Sequence, residues 1–215
     1  MPTHHIIAID GPAASGKSSV ARALAQRLGF SYVNSGAMYR AVTWHVLQRG
    51  LNVHEPAAVA TATEQSRIVC DLVDNQSRML IDDHDPTPHL REDDVNRAVS
   101  LVSSVPRVRE ILVAHMRGYG KKENVVMEGR DIGSVVFPET PFKFYIDASA
   151  EVRMQRRLAE GQRDEIAARD RADSSRVASP LIIAPDAAVI DTSALTIDDV
   201  VDQIMQRLRE KGLRT

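Results

Sequence analysis

Two glycines, a lysine and a serine stand at the spacing G-x-x-x-x-G-K-[ST] in the run Gly11-Pro12-Ala13-Ala14-Ser15-Gly16-Lys17-Ser18. Glycines at the ends of such a run let backbone N–H groups turn inward around a phosphate, and a helix starting directly after it adds the positive end of its dipole. In this pattern Lys17 bridges the β- and γ-phosphates, and the Ser18 hydroxyl is placed to ligate Mg²⁺, which spreads the charge of the transferred group. Ser19 opens the helix beside them. The expected nucleotide-binding set is therefore Gly11 to Ser19, with a nucleoside triphosphate and Mg²⁺ as its ligands.

A pattern of this length also arises by accident in glycine-rich turns, so its flanks decide. The apolar run Ile6-Ile7-Ala8-Ile9 precedes it. After it, Val20, Leu24 and Leu28 recur at i, i+4 and i+8, with Ala21 and Ala25 widening the stripe before Gly29. Strand, turn and amphipathic helix in that order are the context a phosphate-binding loop requires. Asp10, between strand and turn, is either a water-mediated ligand of the metal or a carboxylate that braces the loop, and the sequence leaves both open.

The elements that must hold this loop follow the same alternation. Ile6–Ile9, Ser31–Val33, Val125–Met127, Phe142–Ile146 and Ala188–Ile190 are short apolar runs without the strict alternation of a sheet that faces water. Amphipathic stretches separate them, so the expected fold is α/β, a parallel five-stranded sheet covered by helices. Thr196 with Asp198 and Asp199 marks the start of a final helix that faces the core through Ile197, Val201, Ile204, Met205 and Leu208 and stops at Gly212. Between about Leu51 and Val105 the rhythm breaks. A helix-like Pro56–Cys70, then Leu72-Val73, a polar turn over Asp74–Ser77 and Met79–Ile81 predict an insertion with a small antiparallel element. Arg153–Arg176 is rich in Arg, Asp and Glu and poor in large apolar residues, which fits a solvated helix or a cover over the site.

The 215 residues, 43% hydrophobic and 26% charged with a formal charge of -2, describe one globular domain and exclude fibrous and disordered classes. The single cysteine, Cys70, points to neither disulfide nor thiolate metal site. No apolar run reaches membrane-spanning length and the N-terminus lacks the pattern of a signal peptide, so the expectation is a cytoplasmic enzyme with small-molecule partners, without nucleic acid or membrane.

Triphosphate binding alone does not separate GTPases, motors and small-molecule kinases. No Asn-Lys-x-Asp guanine-reading motif is present. Instead arginines recur at strand ends and in the polar segment: Arg40, Arg109, Arg130, Arg153, Arg156, Arg157, Arg169 and Arg176. Transfer between two phosphate-bearing molecules needs such cations, because the reacting groups repel each other and the moving phosphoryl carries charge. On spacing alone, Arg153, Arg156 and Arg157 serve a solvated helix face as well as a phosphate site.

Four further segments carry a resemblance. Asn34-Ser35-Gly36-Ala37-Met38-Tyr39-Arg40, Pro106-Arg107-Val108-Arg109, Glu128-Gly129-Arg130-Asp131-Ile132-Gly133-Ser134-Val135-Val136-Phe137-Pro138 and Arg169-Asp170-Arg171-Ala172-Asp173-Ser174-Ser175-Arg176 resemble, in order, the signature segments of bacterial cytidylate kinases. The resemblance implies a nucleoside monophosphate kinase fold in a single domain: core 1–36, 106–150 and 177–215, a monophosphate-binding insert 37–105 and a lid 151–176. It implies transfer from ATP to CMP or dCMP. Arg40 and Arg130 would hold the acceptor phosphate, with Ser35 in the same pocket. Ser100, Arg109, Asp131 and Arg176 would read cytosine, while Arg169 and Asp173 would meet the ribose. Lys17, Arg153 and Arg157 would stabilise the transferring group, and the family leans to monomers. This chain departs from the pattern twice: Asn34 stands where an acidic residue is usual, and the stretch from Leu158 to Arg169 is short. A shikimate-type kinase and a non-catalytic nucleotide-binding regulator are the competing readings.

Overall fold

The computed structural model describes residues 4–159, 170–171, 173–175 and 181–213 of the chain. Strand β1 (Ile6–Asp10) runs into the glycine-rich turn, and helix α1 (Lys17–Leu28) leaves it. Then follow β2 (Ser31–Asn34), α2 (Ser35–Gln48), α3 (Pro56–Gln65), β3 (Ile68–Val73), β4 (Gln76–Ile81), α4 (Asp93–Val102), α5 (Pro106–Lys122), β5 (Val125–Gly129), β6 (Phe142–Asp147), α6 (Ala150–Ala159), β7 (Ala188–Asp191) and α7 (Ile197–Glu210).

All five expected strands form, but the sheet has seven, in the order β3-β4-β2-β5-β1-β6-β7. The two additional strands are the antiparallel hairpin of the insertion, which joins the edge of β2 through the pair Tyr32–Gln76. Its turn is tighter than Asp74–Ser77. Asp74 and Asn75 both take positive φ, 50° and 58°, which closes a two-residue hairpin of the primed type. The Asn75 carbonyl then accepts from Tyr32 N at 2.8 Å, so the hairpin tip continues the sheet. The helical reading of Pro56–Cys70 also shortens. Helix α3 ends at Gln65, Ser66 is extended, and Ile68-Val69-Cys70 pair with Ile81-Leu80-Met79 because β-branched residues fit the pleated surface better than a last helical turn.

The central strands bury both faces. Ala8, Val33 and Met127 meet α2 and α5, whereas Ile7, Ile9, Val126, Phe144 and Ile146 meet α1 and α7. This explains the missing alternation. In α1, Val20, Ala21, Leu24 and Ala25 are buried, and Gly29 closes the helix in the left-handed region at φ 66°. Helix α7 starts in a capping box: Thr196 Oγ1 accepts from Asp199 N, and Asp199 Oδ2 accepts from Thr196 N at 3.0 Å. Val200 takes the core place expected of Ile197, which lies in the first turn and is exposed.

Register places the chemistry. Asp10 is level with Gly129 and with Tyr145, and Asn34 with Glu128, so the loops after β1, β2 and β5 leave the same carboxyl edge of the sheet. That edge is where open α/β sheets bind ligands.

Candidate active site

A cleft of about 610 Å³ opens at this edge. Ala13, Ala14 and Gly16 to Ser19 line the end where the nucleoside triphosphate is expected. The loop is shaped by contacts that only glycine permits: a Cβ on Gly11 would lie 2.1 Å from the Ile146 carbonyl oxygen, at φ 156°. Gly16 is left-handed at φ 90° and caps α1, so the helix points its free N–H groups into the loop. Gly11, Pro12 and Ser15 stand behind this surface. The Pro12 carbonyl accepts from Lys17 Nζ at 2.9 Å, which folds the buried ammonium over the loop. Ser15 is fully buried, and its Oγ has no hydrogen-bond partner among the described residues.

The other end gathers the expected acceptor residues. Ser35, Arg40, Ser100, Arg109, Arg130, Asp131 and Asp173 all line the same cleft, from α2, α4, α5, the loop after β5 and the segment around Asp173. Ser35 Oγ donates to the Glu128 carbonyl at 2.7 Å, tying the start of α2 to β5. Arg40 Nη1 donates to the Leu90 carbonyl at 3.0 Å and to Asn96 Oδ1 at 2.5 Å. Arg109 and Asp131 form an ion pair with side chains 4% and 3% exposed. Arg109 also donates to the Ser103 carbonyl at 3.1 Å, and its guanidinium carbon lies 5.1 Å from the Tyr39 ring centroid. Asp131 makes no capping bond to the turn it precedes; its carboxylate serves the arginine. Arg130 Nε donates to Asp173 Oδ2 at 2.8 Å, joining a residue expected at the phosphate to one expected at the ribose.

Helix α6 separates its three arginines. Arg157 lines the cleft. Arg153 Nη1 donates to the Ala13 carbonyl at 3.2 Å and to Asp170 Oδ2 at 2.6 Å. Arg156 grips the loop from behind: Nη1 donates to the Ser15 carbonyl and to Thr192 Oγ1, both at 3.1 Å. Arg169 and Arg176 lie outside the described residues.

Of the two roles open for Asp10, the geometry favours the brace. Its two carboxylate oxygens accept from Ile132 N and Gly133 N at 2.7 Å each. Those amides begin the wide turn Ile132–Val136, which is closed by i+5 bonds such as Phe137 N to the Ile132 carbonyl and follows directly on Arg130 and Asp131. Asp10 thus fastens the strand that feeds the glycine-rich loop to the loop that carries Arg130 and Asp131. Burial pushes its carboxyl up to about 7, against the two backbone donors that pull it down.

Residues 7–210 match the family described as cytidylate kinase. The chain is 45% identical to the cytidylate kinase of Rhodococcus jostii (strain RHA1) over 96% of its own length and 95% of that protein, and 42% identical to that of Geobacillus kaustophilus (strain HTA426) over 95% and 96%. The chain belongs to the cytidylate kinase family. Among solved structures, shikimate kinase from Acinetobacter baumannii aligns over 99% of this chain and 97% of its own with a TM-score of 0.50 at 15% identity. A gluconokinase from Sinorhizobium meliloti 1021 aligns over 98% and 94%, also at 0.50 and 15%. These likenesses show the shared α/β fold, whereas the sequence relatives show which family on that fold the chain belongs to.

The cleft of this family member also holds residues that sequence reasoning passed over. Tyr32, Glu128 and Arg22 line its floor. Tyr32 OH donates to Glu128 Oε1 at 3.0 Å, and the Arg22 guanidinium lies 5.2 Å from the Tyr32 ring centroid. Burial, and then the Glu128 charge, push the Tyr32 phenol above its usual range. Arg22 was detectable as i+4 from Ser18, on the same helix face. Glu128 stands within a signature segment without a role of its own. Asn34 caps α2, its Oδ1 accepting from Ala37 N at 2.9 Å, while its Nδ2 donates to Tyr32 OH at 3.3 Å. A carboxylate at this position would keep the cap, lose that donor, and add a second negative charge near Glu128.

Proposed function

We propose that this member of the cytidylate kinase family transfers the γ-phosphoryl of ATP to CMP or dCMP, giving ADP and CDP or dCDP. The observation that carries this reading is one continuous cleft with a triphosphate loop at one end and the buried Arg109–Asp131 pair at the other. Cytosine presents an amino donor suited to a carboxylate, and O2 and N3 acceptors suited to arginine and hydroxyl donors. Asp131, Arg109, Ser100 and Arg176 are assigned to the base, Arg169 and Asp173 to the ribose, and Arg40, Arg130 and Ser35 to the acceptor phosphate. Uracil reverses donor and acceptor at two of these atoms, so the buried pair would be left with a mismatched partner.

In the reaction a CMP phosphate oxygen forms a bond to the γ-phosphorus as the bond to the β,γ-bridging oxygen of ATP breaks, and ADP departs with that electron pair. The attacking oxygen is already anionic near neutral pH, so no residue is assigned as general base; positioning and charge neutralisation do the chemistry. The Gly11–Ser19 loop binds the donor phosphates. Lys17 exchanges its Pro12 carbonyl for phosphate oxygens and follows the group in transit. Arg157 on the cleft wall and Arg153 at Ala13 add positive charge. Ser18 offers a hard hydroxyl oxygen on the cleft wall beside Lys17, a donor that suits Mg²⁺ in company with phosphate oxygens. When bound there, Mg²⁺ neutralises charge across the β- and γ-phosphates. Division into core 1–36, 106–150 and 177–215, insert 37–105 and lid 151–176 belongs to this reading, as do a cytoplasmic setting and a monomer acting on small molecules. Among the described residues, no helix is long and apolar enough to cross a membrane.

The test is ADP release from Mg·ATP with CMP, dCMP, UMP, AMP and shikimate offered separately. Turnover with CMP and dCMP far above the other three is expected. Turnover with shikimate, or none with CMP in a protein that binds ATP, refutes the assignment.

A further inference from the structure

We propose that Asp170 is a positioning residue for phosphoryl transfer, acting through Arg153; this rests on the assignment of Arg153 to the transferring group. Arg153 rises from the first turns of α6, and two of its three guanidinium nitrogens are held by described residues. Nε donates to the Ala148 carbonyl at 3.2 Å, and Nη1 donates both to the Ala13 carbonyl at 3.2 Å and to Asp170 Oδ2 at 2.6 Å. Nη2 carries no hydrogen bond among the described residues, which leaves two N–H groups of a fixed cation for an incoming anion. Two of the three acceptors are carbonyls, one of them part of the phosphate loop itself. Among the described residues only Asp170 supplies negative charge, and the pair is mostly withdrawn from water, with side chains 12% and 22% exposed.

A long, rotamer-rich side chain must otherwise be ordered at the moment of reaction, and that entropy is part of the barrier. A carboxylate on Nη1 removes this cost beforehand and does not occupy Nη2. Three residues on, Asp173 holds Arg130 on the acceptor side in the same way at 2.8 Å. One short segment thus presents two carboxylates that fix one arginine on each side of the cleft. Asp170 Oδ1 is buried without a partner among the described residues, so nothing else described there accounts for a carboxylate at this position.

The test is a double-mutant cycle with Asp170→Asn, Arg153→Ala and the two combined, measuring kcat and both KM values, with thermal melting to confirm folding and Asp170→Glu as the conservative control. Arg153→Ala is expected to lower kcat about 100-fold or more. Asp170→Asn is expected to lower kcat about 10-fold with KM for CMP within twofold, to be partly rescued by glutamate, and to have no further effect once Arg153 is absent. If Asp170→Asn lowers kcat equally in the Arg153→Ala background, or leaves it unchanged in the wild type, the inference is wrong while the role of Arg153 stands. If it raises kcat, the carboxylate competes with phosphate and the inference is again wrong. If Arg153→Ala itself leaves kcat intact, the assignment of Arg153 falls, and this inference with it.

Discussion

Replacing Asp131 with alanine separates the two tasks of the Arg109–Asp131 pair. With the carboxylate gone, Arg109 keeps the Ser103 carbonyl and the Tyr39 face, but it is 3% exposed and its Nε already lacks a partner among the described residues. Removing one partner of a buried ion pair leaves an uncompensated charge and costs about 3–5 kcal/mol. At a urea m-value of roughly 2–3 kcal/mol/M, the unfolding midpoint should fall by about 1–2.5 M. CMP binding should weaken by about 1–3 kcal/mol, or roughly 5- to 150-fold, because the amino group of cytosine loses its acceptor. Urea unfolding with and without CMP reads both effects, and kcat/KM for CMP against UMP reads the specificity. The paired replacement Arg109→Met with Asp131→Leu removes both charges, so it should recover most of the stability while the preference for CMP stays lost. An unchanged midpoint in Asp131→Ala would refute the argument from burial, and retained preference in the paired variant would remove these residues from base recognition.

Asp10 has a folded value near 7 against an ordinary 3.8, so its contribution favours the folded state below pH 4 and is lost as pH rises through 7, by at most roughly 4 kcal/mol; urea midpoints of wild type and Asp10→Asn, compared between pH 4 and 8, should differ in slope in that sense. Gly11→Ala should displace the phosphate loop, since its Cβ would meet a backbone oxygen at 2.1 Å, raising KM for ATP more than tenfold while KM for CMP changes little. Arg40→Met should raise KM for CMP and UMP by the same factor, because Arg40 is assigned to the phosphate and not to the base; a changed CMP/UMP ratio would contradict this. Thr196→Ala removes the capping box of α7 and should lower Tm by about 2–4 °C with kinetic constants unchanged.

Elements with strong local signals were legible in the sequence. The strand, glycine turn and stripe Val20–Ala21–Leu24–Ala25 formed as read, and the five apolar runs became the parallel part of the sheet. The hairpin's place in that sheet was not legible, because its attachment depends on Tyr32 N meeting Asn75 O, a pairing 43 residues apart that no local pattern encodes. For the same reason the sequence named Arg109 and Asp131 as members of one site without showing that they bind each other, or that Arg130 binds Asp173. Ion pairs between distant segments come from topology. Arg156 shows the converse: its type and spacing match its neighbours Arg153 and Arg157, and only the fold turns it toward Ser15 and Thr192 behind the loop.

What holds each arginine bears on what it can do. Two of the groups that hold Arg40, the Leu90 carbonyl and Asn96 Oδ1, are neutral, and a phosphate that replaces them adds a charge–charge term. Arg109 rests on a buried carboxylate, and moving it would strand Asp131 in a site 2% exposed to water. The first arrangement favours exchange and the second permanence. For a kinase that must release its product, the former suits Arg40, whereas Arg130 and Arg153 each keep a carboxylate that holds them in place. Such a kinase needs the latter at the base, where a fixed pattern of donors and acceptors separates cytosine from uracil. The cleft has both kinds of arginine side by side, Arg40 with neutral oxygens among its partners and Arg109 on a buried carboxylate.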